Sequence, residues 1–197
     1  VSTTGGSWDN HIIQTADINA ADTQTWNGGT GFSPIGNSSN NFEGNYNGQG
    51  YVIDSLYINR PSTQYIGLFG RCDDASISYL GLTNAEVTGN KYVGILGGYS
   101  TDDTVTSYCF SSGNVTATEE NSYVGGLIGN NTWDSVIQYC YSISSITGNK
   151  YVGGLVGGNG WDGIIRNCFS QSSVSGNEYV AGLIGITSWR TVVQNSY

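Results

Sequence analysis

The sequence of 197 residues contains no methionine, one histidine, two prolines and only six lysines and arginines together. Against 15 acidic residues the formal net charge is −9, so no basic stripe exists to neutralise phosphates and release their counterions. Nucleic acid is excluded as a partner. The lone histidine, His11, leaves no triad beyond itself, and neither the helical zinc-protease motif nor a CxxC pair is present. No apolar run reaches the roughly 18 residues that cross a bilayer, and no basic-apolar-small opening reads as a signal peptide. This segment is therefore expected not to insert in a membrane. The start at Val1 and the missing methionine lead to the expectation of an excised or processed piece, with any export signal or anchor outside it. Charged residues make up 11% of the chain and glycines number 30, which would suit a linker were the aromatic and β-branched residues not so regularly placed.

What is present is one phrase said five times. Tyr151-Val152-Gly153-Gly154-Leu155-Val156-Gly157-Gly158 recurs in variants that begin at Tyr65, Tyr92, Tyr123 and Tyr179. The tyrosines are 27, 31, 28 and 28 residues apart, a period in the range of solenoid repeats. Each repeat reads as three short strands: the Tyr-Val-Gly-Gly-Leu-Val stretch, a run such as Ile164-Ile165-Arg166-Asn167-Cys168-Phe169, and Ser173-Val174-Ser175 before a Gly-Asn turn. Strands this short bury a face only by stacking on the next turn, about 4.8 Å away. Propeller blades need about 40 to 50 residues, so the period selects a parallel β-helix, and the strong bias of parallel crossovers makes it right-handed. The fold expected is all-β, a solenoid of about 28 residues per coil, in one continuous domain over 51–197. Residues 1–50 lack the repeat and are read as irregular capping coils that cover the strand edges of the first rung. The longer spacing after Tyr92 is placed at a corner, where Thr116-Ala117-Thr118-Glu119-Glu120-Asn121-Ser122 replaces a shorter turn.

Stacked repeats turn equivalent residues into columns. Tyr92, Tyr123, Tyr151 and Tyr179 form one, and they should be nearest neighbours on consecutive rungs. Cys109, Cys140 and Cys168 form another, with Gly81 before and Ser196 after; three thiols cannot pair completely, and Cys72 lies elsewhere. These cysteines are read as a packed ladder of small apolar residues, although shared parity with Val174 and not with Phe169 leaves their facing open. Trp133, Trp161 and Trp189 form a third column, preceded by Asp74 and Asp102. Two readings attach to it: a flat platform for sugar rings with Asp134 and Asp162 accepting hydroxyls, or indoles stacked on one another without any ligand. The second is favoured. Asp103, Asp134 and Asp162 stand beside the indoles, followed by Arg190, and their mutual repulsion admits calcium, although the spacing of calcium β-rolls is missing. No other cofactor is implied.

A glycan-cleaving enzyme ranks third, since the carboxylates fall in a repetitive column and not in a singular acid-base cluster. Gly158-Asn159-Gly160-Trp161-Asp162-Gly163 matches GxGxxG, but a strand follows it where a dinucleotide site needs a helix. Asn37, Asn114 and Asn130 open N-glycosylation acceptor triplets.

The Gly-Gly-Leu-Val-Gly and Gly-Gly-Leu-Ile-Gly cores, each followed by an Asn-Cys-Phe or Tyr-Cys-Tyr run and a turn, resemble the GLUG repeat of bacterial and archaeal surface proteins. Phe42-Glu43-Gly44-Asn45-Tyr46-Asn47-Gly48-Gln49-Gly50-Tyr51-Val52-Ile53 looks like the segment that introduces such arrays, so the resemblance covers about 42–197. Ala181 stands where the other copies have glycine. The resemblance implies an exported stalk, adhesive surface or filament subunit at the cell surface or outside it, with no catalysis of its own. Its partners would be further repeats or a second copy stacked end to end beyond Tyr197, and environmental or host glycans.

Overall fold

The computed structural model describes residues 10–197 and winds them into a parallel β-solenoid of about five turns, about 29 residues each. The part of the expected cap that falls in residues 1–9 lies outside the described residues. Four parallel sheets run along the stack. The first holds Tyr92–Val93, Tyr123–Gly125, Lys150–Gly153 and Glu178–Ala181. The second holds Phe69–Asp73, Gly97–Thr101, Ile128–Asn131, Val156–Asn159 and Ile184–Thr187. The third has seven strands from His11–Ile13 to Val192–Gln194. The fourth is the longest, built around Gly81–Gly89, Phe110–Ala117 and Tyr141–Thr147.

Four sheets replace the three strands per coil expected from the sequence, because the phrase at Tyr151 is two strands and a corner. The chain turns at Gly154 and Leu155, between Lys150–Gly153 and Val156–Asn159. Continuous apolarity hid the corner, since both strands bury their inner side chains in the same core.

Register confirms the columns. Tyr123 pairs with Tyr92, and the rings from Tyr65 through Tyr92, Tyr123, Tyr151 and Tyr179 stack with centroids 5.1, 5.3, 4.5 and 5.2 Å apart. Inside, Ile12, Tyr46, Ile77, Thr106, Ile137, Ile165 and Val193 form one file across the third sheet. Leu96, Leu127 and Leu155 are fully buried at the corner between the first and second sheets. One column is corrected. Phe110 pairs with Gly81, so the residue below Cys109 is Leu80 and not Gly81. The shift arises because Phe110, not the cysteine, takes the glycine's place on the outer side.

Residues 10–50 add His11–Ile13 and Asn45–Asn47 to the third sheet and Ile18–Asn19 to the fourth, so they extend the stack with irregular coils. Between them Ala21–Gly29 winds in 3-10 turns broken at Trp26–Gly28, where Asn27 and Gly28 have φ of 54° and 68°. The longer spacing after Tyr92 sits where expected: the chain leaves the fourth sheet at Ala117 and enters the first at Tyr123. Backbone bonds from Thr118 to Gly89 and Glu119 to Asn90 hold the flank of that turn to the previous coil.

Candidate functional site

Corners of the solenoid carry most of its exposed aromatic residues, for a backbone reason. One residue turns the chain from the third sheet into the fourth, and it does so in the left-handed region: Tyr79, Tyr108, Tyr139, Asn167 and Asn195 have φ between 48° and 55°. Two consecutive left-handed residues make the turn from the second sheet into the third, namely Asp102-Asp103, Trp133-Asp134, Trp161-Asp162 and Trp189-Arg190. A bulky residue there costs about 1–2 kcal/mol, which glycine would avoid. Stacking against the equivalent ring on the next coil returns about 0.5–1.5 kcal/mol per pair, beyond the area buried.

The tryptophan corner shows what this does to the candidate residues. Trp133 and Trp161 stack at 5.0 Å with 7° between planes, and Trp161 and Trp189 at 5.3 Å with 8°. Because ring carbons touch at about 3.5–4.0 Å, centroids 5 Å apart imply a slip of roughly 3 Å, so the indoles overlap like shingles. Their faces are mostly turned to one another. Trp161, stacked on both sides, is 44% exposed, and the end members Trp133 and Trp189, each stacked on one side, are 47% and 68% exposed. Asp102 precedes this column as expected from the sequence; Asp74 does not, since its backbone N–H donates to the Asp102 carbonyl and sets it level with Asp103. The earlier turn is one residue shorter, with Asp73 opposite Thr101 and Ser76 opposite Val105.

Beside the indoles Asp103, Asp134 and Asp162 occupy successive levels, and Arg190 closes the file by donating to the Asp162 carboxylate at 2.7 Å. That carboxylate in turn raises the Arg190 guanidinium above its ordinary range. Among the described residues no three His, Cys, Asp or Glu side chains gather closely enough to hold a metal ion. A column spaced by the strand separation spreads carboxylates along an axis, whereas an ion needs them converging on a point.

The cysteine column points inward, which settles the facing left open by parity. Cys109, Cys140 and Cys168 are 1% exposed and unpaired, and each thiol donates to carbonyls: Cys109 to Ser107 at 3.3 Å, Cys140 to Gln138 at 3.1 Å, Cys168 to Arg166 at 3.2 Å. The Cys109 N–H donates to the Cys140 sulfur, and the Cys168 N–H to the Ser196 hydroxyl. Burial pushes the Cys72 and Cys140 thiols well up. Of the acceptor asparagines, Asn37 and Asn114 are exposed, while Asn130 is half-buried opposite Tyr99, with which its side chain is hydrogen-bonded.

Three features escape a reading from sequence alone. Tyr79, Tyr108 and Tyr139 form a further exposed ladder with 4.8 Å between successive rings; the Tyr-Cys dipeptides at 108–109 and 139–140 were its signal. Phe110, Tyr141, Phe169 and Tyr197 form another on the fourth sheet. In the interior Asn131 donates to the Asn159 side chain at 2.8 Å, and both amides close their own turns by donating to the Ser135 and Gly163 carbonyls.

Comparison with known proteins agrees with this architecture. The family described as "The GLUG motif" matches residues 120–147 and 148–175. Halomucin of Haloquadratum walsbyi is 38% identical over 121 residues, covering 54% of this chain and 1% of that protein. A provisionally named Gly-rich membrane protein of Evansella cellulosilytica is 45% identical over 62 residues, 31% of this chain and 7% of that protein. The chain thus spans a small fraction of the length of either relative. Among solved structures, a provisionally named immunoglobulin A1 protease from Bacteroides ovatus superposes with a TM-score of 0.59 at 19% identity, over 96% of this chain and 68% of its own, a likeness of fold. The two matched segments are the coils that carry Trp133 and Trp161 and the cysteines Cys140 and Cys168, and the chain is a β-solenoid bearing the GLUG motif in two tandem copies.

Proposed function

We propose that this chain is a rigid, adhesive spacer segment of a larger protein displayed at the cell surface or released outside it, with no catalysis of its own. The observation that carries this reading is the continuous stack: four parallel sheets and external aromatic ladders run from coil to coil, a construction that resists bending and grows by repetition. Halomucin and the Gly-rich membrane protein, by their names, fit a surface setting. No helix among the described residues is long and apolar enough to cross a membrane.

The shingled indoles support the structural side of the reading, since both faces of Trp161 and one face each of Trp133 and Trp189 are spent on a neighbouring indole. Antibodies raised against the chain test the setting. They should label intact, unpermeabilised source cells or the culture medium; labelling that needs lysis rejects the surface role. Polysaccharide and immunoglobulin substrates incubated with the chain should remain uncut.

A further inference from the structure

The repeat breaks in one place outside its turns, and a pocket lies there. Ser111 pairs with Leu82 and Gly113 with Ala85, so Thr83 and Asn84 together face the single residue Ser112, whereas Phe110 through Thr116 run in continuous register with Tyr141 through Thr147. The coil before keeps the extra residue, because Asp54 pairs with Thr83 and Tyr57 with Glu86. Ser55 and Asn84 take the strain in the left-handed region, with φ of 60° and 50°. Bulges of this kind re-aim side chains next to binding sites. Here they face the 3-10 turns of Ala21–Gly29, and between the two lies a pocket of about 240 Å³ lined by Gln24, Ser55, Tyr57, Asn84 and Glu86, with Ala21 and Leu56.

The chemistry of this wall is selective. Asp54 accepts from the Thr83 hydroxyl at 2.6 Å, the Asn84 amide at 2.7 Å and the Ser55 hydroxyl at 2.8 Å, and so it fixes two of the lining side chains. Glu86 and Gln24 stand exposed at the wall, and no ion pair among the described residues engages Glu86. A carboxylate accepts two hydroxyls, and amides both donate and accept. With Glu86 present and neither lysine nor arginine in the lining, an anionic ligand is repelled. The volume falls below the roughly 300 Å³ at which pockets for drug-sized ligands begin, so the guest is small.

We propose that this pocket binds one neutral pyranose residue at the end of a glycan, with Glu86 and Gln24 holding its hydroxyls and Asp54 positioning Ser55 and Asn84. The proposal rests on the adhesive reading and places the adhesive contact here and not at the tryptophan corner.

Saturation-transfer difference NMR of the whole chain with the methyl glycosides of glucose, galactose, mannose and N-acetylglucosamine tests it. At least one should give transfer, and Glu86→Ala and Gln24→Ala should weaken its affinity about tenfold or more, as expected for lost hydrogen bonds to charged and amide groups, with an unchanged circular dichroism spectrum. Trp161→Ala should leave the affinity within twofold. No transfer from any of the four, or transfer that Glu86→Ala and Gln24→Ala leave within twofold, overturns the proposal. Loss with Trp161→Ala alone assigns the sugar to the ladder and also overturns it. These outcomes are separate from antibody labelling of intact cells, which fails only if the surface setting itself is wrong.

Discussion

Gly154 and Gly182 occupy the same corner on successive coils, yet a Cβ on Gly154 would overlap the Gly182 carbonyl oxygen and the Ser170 hydroxyl, whereas a Cβ on Gly182 meets nothing. At Gly154 the coil stacked above leaves room only for hydrogen, although Ile95 fills the equivalent position of an earlier coil. Gly154→Ala should therefore destabilise by about 1–3 kcal/mol, the cost of overpacking, while Gly182→Ala should be neutral or stabilising. Thermal melts of the two variants check this, and equal losses would mean that the coils do not stack at this corner.

Trp161 has an indole on both sides and Trp189 on one. At about 0.5–1.5 kcal/mol per stacked pair, Trp161→Ala should cost about twice as much as Trp189→Ala in denaturant titrations. Equal costs would show that the ladder contributes little beyond area.

Stability should decline in alkali. Burial, with the neighbouring Tyr99, Tyr65 and Tyr123 phenols adding to it, raises the Tyr92 phenol to about 12. Burial also raises the Cys72 thiol and the Tyr46, Tyr99 and Tyr123 phenols above their ordinary values. In the unfolded chain these groups lose protons near pH 8.5 to 10, so the folded chain binds more protons above that range. Their contribution is complete below the unfolded values and is lost as pH rises toward the folded ones. Melting temperature should be level with respect to these groups from pH 7 to about 8.5 and fall from about 9 upward; a level profile to pH 11 would contradict it.

Exposure separates the acceptor asparagines. Produced in a glycosylating host, the chain should carry glycan at Asn37, whose side chain caps an exposed turn through Ser39 and Asn40. Asn130, hydrogen-bonded to Tyr99, should remain unmodified. Peptide mapping by mass spectrometry reads both sites, and occupancy at Asn130 would mean that the second sheet opens at that strand.

The period was legible because parallel stacking maps a sequence interval directly onto a vertical neighbour, so Tyr123 above Tyr92 and Trp161 above Trp133 needed no more than counting. The corner at Gly154 was not legible, since a hydrophobic run has the same appearance whether it continues straight or bends around a shared core. Nor was the level of Asp74, because one residue fewer in a turn moves a side chain by a full column.

The residues alone therefore determined that this chain is an array and which side chains recur along it. Only the tertiary structure decided which way they face: Cys140 inward onto the Gln138 carbonyl, the indoles onto one another, Glu86 and Gln24 across a pocket whose walls are 62 positions apart. Repetition is a property of order along the chain. Facing and convergence depend on left-handed corners and on what the next coil leaves uncovered, and these exist only once the coils are stacked.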